Sequence, residues 1–307
     1  MHLLVVGAGA TGGYFGGRLA EAGRDVTFLV RARRAAQLEA NGLQVVTPDG
    51  GFGLKPRIAL PGAIQGAYDA ILLAVKAYSL DGVLGDMAPA VGAGTMILPM
   101  LNGMKHIDVL RTRFGKEAVL GGVCRISAHL DGQGRIVQLA KFEDLVYGEL
   151  DGSPTARIAD LDAFMQGAGF HARLSLTIER EMWEKWVMLA TLAGVTCLMR
   201  GTTGEIVAAP GGKDFISRFL DEVAAVVTAE GHAPGETFLA QTRSLLTAQG
   251  SPPAASMYRD LQNGSPIEAD QIIGDLLNRG RQANIPVPLL TLAYTHLAIY
   301  QNRLSSK

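Results

Sequence analysis

Three glycines near the amino terminus stand in the spacing G-x-G-x-x-G, as Gly7-Ala8-Gly9-Ala10-Thr11-Gly12. The chemistry this spacing serves is the holding of a pyrophosphate. Gly7 takes the tight turn, Gly9 lets the backbone approach the phosphates, and Gly12 lets helix and strand pack closely. The helix that follows presents unpaired N–H groups and the positive end of its dipole. The motif alone is a weak signal, but its context fits: an apolar strand pattern over residues 2–6 precedes it and a helix pattern over 14–22, closed by Gly23, follows.

A second strand pattern, 25–30, ends in Arg31-Ala32-Arg33-Arg34 and carries no acid there. A carboxylate at this place holds the ribose 2′-hydroxyl of NAD and repels a 2′-phosphate. An arginine attracts that phosphate and can grip it with two prongs. Cations oppose the dipole at a helix start, so a purely structural role explains the cluster poorly. The expected cofactor is therefore NADPH/NADP, with Arg31 best placed and Arg33 or Arg34 assisting.

Other candidates are ambiguous from the residues alone. Lys185 shares a helix face with Met188, Leu189, Leu192 and Ala193. An ammonium held on such a face is partly desolvated, which lowers its pKa and makes it a usable proton donor. The alternative is a lysine that snorkels and pairs with Glu181 at i−4. Glu268 ends Ser265-Pro266-Ile267-Glu268, which also reads as a capping box with proline at the first helical position. Ser256 and Asp260 could be caps or turn formers, and Asn102-Gly103 by itself is a turn signal.

The elements that must position these residues change character along the chain. In the first half strands alternate with helices. A helix is expected at 32–40, and short strands at 43–46, 52–54 and 57–60 form a meander. Strand 68–75 ends in Lys76, and strand 95–98 leads into Asn102. Strands 119–127 and 136–147 read as an antiparallel pair joined at Asp131-Gly132, and a helix 155–167 and strand 170–174 follow. This order predicts an α/β fold: an N-terminal Rossmann-type doubly wound sheet with antiparallel additions. From Thr177 only helices are expected, at 177–200, 213–231, 235–249, 266–280 and 287–304. Breaks fall at Ser251-Pro252-Pro253 and Asn263-Gly264-Ser265-Pro266. The expected domains are 1–176, dinucleotide-binding, and 177–307, all-helical. Ligands in open α/β sheets bind beyond the strand carboxyl ends, where Gly7–Gly12, Lys76 and Asn102 fall, so the catalytic cleft is expected between that edge and the helical half.

Composition narrows the function classes. The 307 residues carry a formal charge of −1 and 48% hydrophobic residues, with no broad basic excess for nucleic acid. Cys124 and Cys197 lie far apart in apolar runs, which fits reduced thiols of a cytoplasmic protein and no metal site. The first strand begins at residue 2, so no signal peptide is expected. The longest apolar stretch, 187–199, is too short to span a bilayer.

Taken together, the sequence resembles the ketopantoate reductase (2-dehydropantoate 2-reductase) family, from Gly7 to about Leu277. The resemblance is carried by Gly7-Ala8-Gly9-Ala10-Thr11-Gly12, Arg31, Val75-Lys76, Asn102-Gly103-Met104, Trp183-Glu184-Lys185-Trp186, Ser256-Met257-Tyr258-Arg259-Asp260 and Glu268-Ala269-Asp270. It implies NADPH-dependent reduction of a 2-oxo acid, 2-dehydropantoate to pantoate, in pantothenate biosynthesis. It also implies roles. Lys185 is the general acid, and Asn102 holds the lysine and substrate near the nicotinamide. Ser256 binds the substrate carboxylate, Glu268 orients the substrate, and Lys76 supports the cofactor ribose. One departure stands out: the family's asparagines four and eight residues after the lysine are here Leu189 and Ala193. An apolar site does not recognise a substrate hydroxyl, so the alternatives are a 2-oxo acid with a more apolar tail or ketopantoate held differently. Another two-domain dehydrogenase and a non-catalytic NADPH sensor are the competing classes. The apolar last helix would pack on the helical half or on a second copy, and symmetry makes a homodimer the expected assembly.

Overall fold

A computed structural model describes residues 1–250 and 254–306, and the break expected at Ser251-Pro252-Pro253 lies outside the described residues. The chain divides into two compact units: Met1–Leu101 with His106–Glu179, and Asn102–Lys105 with Arg180–Lys307.

The first unit begins β1 (His2–Val6), α1 (Ala10–Glu21), β2 (Asp25–Leu29), α2 (Ala32–Asn41), β3 (Leu43–Thr47), β4 (Gly50–Leu54), β5 (Arg57–Ala59) and β6 (Ala70–Leu73). It continues α3 (Leu80–Met87), β7 (Met96–Pro99), α4 (Lys105–Phe114), β8 (Leu120–Leu130), β9 (Ile136–Glu149), α5 (Ala156–Met165) and β10 (His171–Leu174). A parallel sheet runs in the order β5-β2-β1-β6-β7. Leu3–Val6 and Ala70–Leu73 are buried throughout, as central strands covered on both faces must be. The chain leaves β1 toward β2 on one side and returns on the other as β6. The strand order therefore reverses beside β1, where ligands of such sheets bind.

A second sheet runs β10-β9-β3-β4, with β8 also paired to β9. The expected meander is thus divided between the sheets. β3 and β4 form a hairpin (Val45 opposite Phe52) in the second sheet, while β5 returns to the first as the parallel neighbour of β2. The physical reason lies in α1, whose glycines let both sheets approach. A Cβ on Gly16 would stand 2.8 Å from Phe28 and Val5, and one on Gly17 would stand 2.8 Å from Leu43. Strand 68–75 shortens to Ala70–Leu73, leaving Val75 and Lys76 beyond the sheet.

In the second unit α6 (Ile178–Met199) is followed by α7 (Thr203–Ala208), α8 (Gly212–Ala229), α9 (Glu236–Leu246) and α10 (Ser256–Gln262). A π-helical segment (Asp270–Gly274) then leads into α11 (Asp275–Gln282), and α12 (Pro288–Ser305) closes the chain. On α8, Ile216, Phe219, Leu220, Val223, Val226 and Val227 are buried, one stripe at helical period. α7 and α10 were not expected from the periodicity, being six and seven residues long. The helix expected over 266–280 starts later, and the capping box at Ser265 does not form. Ser265 N–H donates to the Asp260 carbonyl, the Ser265 carbonyl accepts Tyr300 Oη, and Glu268 stands before the first helical residue with its carbonyl accepting Ile272 N–H. Among the described residues no helix is long and apolar enough to cross a membrane.

Candidate active site

The glycine turn sits between the ends of β2 and β6. Gly7 N–H donates to the Leu29 carbonyl at 3.0 Å, and Ala74 N–H donates to the Val6 carbonyl at 3.0 Å. Gly7 has φ +96°, a conformation open to glycine, and a Cβ there would stand 3.1 Å from the Ala74 carbonyl oxygen. A Cβ on Gly12 would overlap the Gly7 carbonyl oxygen and stand 2.7 Å from Ala74 Cβ, so this glycine serves close helix–strand packing. Gly9 differs. Its φ is −79°, which any residue adopts, and a Cβ on it meets nothing within 4 Å. Neither strain nor crowding inside the chain requires glycine there. The open space lies at the start of α1, which has no capping side chain and no acid in its first turn. Ala8 is buried, and Ala10 and Thr11 are half-buried. These features fit a dinucleotide pyrophosphate laid against Gly9.

Arg31 is the N-cap residue of α2 and is exposed. Its guanidinium extends along α3, where a Cβ on Gly82 would stand 3.2 Å from Nη2. Among the described residues Arg31 makes no ion pair, which leaves its charge for an external anion. Arg34 is engaged differently. Its Nε donates to the Ala8 carbonyl at 3.0 Å and its Nη1 to the Gly134 carbonyl at 2.8 Å, and burial lowers the guanidinium's pKa from its ordinary value. Lys76 is exposed and caps a short 3₁₀ turn, its carbonyl accepting Ser79 N–H.

The remaining candidates, Asn102, Lys185, Ser256 and Glu268, all fall in the second unit. Lys185 is half-buried on α6. The next residue, Trp186, is 1% exposed, and its indole Nε1 donates to the Ile272 carbonyl at 3.0 Å. Trp183 stacks on His232 with ring centres 4.4 Å apart, and the Arg279 guanidinium lies 5.6 Å from the Trp183 ring and 5.9 Å from that of Trp186. These contacts fix the rotation of α6 and hence the direction in which Lys185 leaves it. Asn102 is half-buried beside Gly103, whose φ is +80° and whose Cβ would stand 2.7 Å from the Gln271 carbonyl oxygen. The π segment thus meets the Asn102 turn at Gln271 and α6 at Ile272. Glu268, 7% exposed, lies one turn before these contacts. Ser256 is half-buried as the first residue of α10, with Ala255 at the N-cap position, so it does not cap this helix. Leu189 is half-buried and Ala193 fully buried. The sequence did not single out the Trp186–Ile272 and Arg34–Gly134 bonds, because their partners lie 86 and 100 residues away.

Comparison with known proteins places the chain. The family model Ketopantoate reductase PanE/ApbA matches residues 3–152, and Ketopantoate reductase PanE/ApbA C terminal matches residues 177–301. The chain is 35% identical over 301 residues to an uncharacterized oxidoreductase, YkpB, of Bacillus subtilis (strain 168), covering 98% of this chain and 99% of that one. The crystal structure of a PanE/ApbA family ketopantoate reductase from Ralstonia eutropha JMP134 superposes with TM-score 0.89 at 25% identity, covering 99% of this chain and 100% of that one. A D-mandelate dehydrogenase solved with NADH and anilino(oxo)acetate shares the fold, with TM-score 0.88 at 22% identity and coverage of 99% and 100%. With an N-terminal half built around a dinucleotide turn and family matches over both halves, the chain belongs to the ketopantoate reductase family of nicotinamide-dependent oxidoreductases.

Proposed function

We propose that this chain catalyses the NADPH-dependent reduction of a 2-oxo acid to the 2-hydroxy acid, with 2-dehydropantoate as the first candidate substrate and pantothenate biosynthesis as its setting. The observation that carries the cofactor half is the open space at Gly9 together with Arg31, just beyond β2, which makes no ion pair among the described residues. Residues 1–176 would hold NADPH and residues 177–307 the substrate. When bound, the cofactor supplies a hydride from nicotinamide C4 to the ketone carbon. The backbone over Gly7–Gly12 would hold the pyrophosphate, Arg31 the 2′-phosphate and Lys76 the cofactor ribose, and Asn102 would hold the lysine and the substrate near the nicotinamide. Lys185 would donate its Nζ proton to the ketone oxygen, which would complete the alcohol. Ser256 holds the substrate carboxylate, and Glu268 orients the substrate toward Lys185. Such placement lowers the barrier through geometry and fixed charge. Cys124 and Cys197, far apart in apolar runs of the sequence, support a cytoplasmic setting.

A second reading concerns the substrate tail. Leu189 and Ala193 put apolar groups where the family has amides, which favours a 2-oxo acid with a more apolar tail than ketopantoate. A screen that follows NADPH absorbance with 2-dehydropantoate and with branched apolar 2-oxo acids decides between them. If 2-dehydropantoate leads in kcat/KM by orders of magnitude, the apolar-tail reading fails. Lys185→Ala is expected to lose about 10²- to 10⁴-fold in turnover while still binding NADPH. A wild-type chain that binds NADPH yet turns over no 2-oxo acid would instead be a sensor.

A further inference from the structure

Arg34 occupies an unusual position for an arginine three residues beyond the 2′-phosphate candidate. Its Nε holds the carbonyl of Ala8, the residue between the first two glycines of the turn. A trans peptide is planar, with its C=O and N–H pointing in opposite directions. Fastening the Ala8 oxygen therefore fixes the direction of the Gly9 N–H, which is the amide at the open position. The anchor is itself anchored: Nη1 donates to the Gly134 carbonyl at 2.8 Å, in the turn between β8 and β9. Gly134 has φ +79°, and a Cβ on it would stand 2.8 Å from Nη1, so the turn is shaped around this guanidinium.

We propose that Arg34 is a positioning residue for the dinucleotide pyrophosphate: clamped by the β8–β9 turn, it aims the Gly9 N–H through the Ala8 carbonyl. This rests on the dinucleotide assignment above. It separates two arginines that the sequence groups together. Arg31 meets a group present only in NADPH, whereas Arg34 acts on a group common to NADPH and NADH. The competing role is a second 2′-phosphate contact, since Arg34 Nη2 is buried and has no hydrogen-bond partner among the described residues.

The test is titration of the full-length protein with NADPH and with NADH, followed by tryptophan quenching or calorimetry. The variants are Arg31→Ala, Arg34→Ala, Arg34→Lys and Gly134→Ala. Loss of one charge-assisted hydrogen bond at Arg34 is expected to weaken both cofactors about tenfold, with their ratio kept within about twofold. Gly134→Ala, which leaves Arg34 in place and crowds its guanidinium, is expected to give the same parallel loss. Arg34→Lys, which keeps the charge but cannot span both carbonyls, should fall between wild type and Arg34→Ala. Arg31→Ala should weaken NADPH alone. In turnover, the Arg34 variants should raise KM for NADPH and leave kcat unchanged. If Arg34→Ala weakens NADPH alone, Arg34 is a phosphate ligand and the proposal fails. It also fails if both affinities hold while the melting temperature falls. Should Arg34→Ala not fold, Arg34→Lys and Gly134→Ala decide by the same ratio. A wild-type protein that binds neither dinucleotide overturns the cofactor assignment itself, before any variant is compared.

Discussion

The two tryptophans three residues apart on α6 should respond unequally to the same substitution. Trp186→Phe removes the indole donor from the buried Ile272 carbonyl. An unsatisfied buried carbonyl costs about 1–3 kcal/mol, and the smaller ring forfeits about 1–2 kcal/mol of burial and packing. The sum is a destabilisation of about 2–5 kcal/mol. Trp183 is equally buried, but its Nε1 has no hydrogen-bond partner among the described residues. Trp183→Phe loses the same ring volume and removes an unsatisfied donor whose burial already costs about 1–3 kcal/mol, so the two effects nearly cancel. Phenylalanine can still stack on His232. The variants should differ by about 2–5 kcal/mol, or about 30- to 5,000-fold in the unfolding equilibrium. Urea unfolding measures this directly, because the chain has only two tryptophans and both lie in the second unit. In each variant the remaining indole reports that unit alone. With a slope of about 1–3 kcal/mol per molar urea, the midpoints should separate by about 1 M. Equal midpoints, or a lower one for Trp183→Phe, would refute the assignment of the Trp186 bond as a structural anchor.

Three further outcomes follow from other features. Gly12→Ala drives a Cβ into the Gly7 carbonyl and should unfold the first unit or lower its melting temperature sharply, whereas Gly9→Ala should melt like wild type and lose dinucleotide binding by calorimetry. Leu189→Asn, at a half-buried position, should raise kcat/KM for 2-dehydropantoate relative to a branched apolar 2-oxo acid by about tenfold, the scale of one gained hydrogen bond. Burial pushes the Cys197 thiol up to about 12, so the thiol is neutral in the folded state while an unfolded one ionises. The stability this represents is complete below the unfolded thiol pKa and is lost as pH rises toward 12. Urea unfolding across the alkaline range should show that slope in wild type and a weaker one in Cys197→Ala.

The alternation of β1, α1 and β2 could be read from the sequence because apolar runs and glycine spacing are local signals. The destination of β3, β4 and β5 could not. Pairing of Val45 with Ile136 is a contact across 91 positions, and nothing in residues 43–60 announces which sheet each strand joins. The two S/T-x-x-E motifs make the same point. At Thr202 and Glu205 the capping box forms, yet the helix behind it is too short to show a period. At Ser265 and Glu268 the same pattern precedes a longer helix and no box forms, because tertiary bonds hold the Ser265 backbone out of the helix. The π turn was equally hidden. It is fixed by close contacts of Gly103 with Gln271 and of Gly274 with the Tyr294 ring, not by its own composition. Of the candidate site residues, Gly7 and Gly12 were legible with their individual structural reasons, the turn and the close packing. Lys185, Ser256 and Glu268 needed a family likeness, since each had a plausible structural role.

The assignment of Asn102–Lys105 to the second unit bears on how the two halves could be exchanged or made apart. The chain changes unit three times, at Leu101, Lys105 and Glu179, instead of once. A fragment that begins at Arg180 carries Lys185, Ser256 and Glu268 but leaves the Gly103 turn, and the support it gives Gln271, on the other piece. A recombination breakpoint there would join Lys185 from one parent to Asn102 from another. During synthesis the four-residue insert emerges about seventy-five residues ahead of the helices it joins, so its contact with Gln271 waits on a segment made much later.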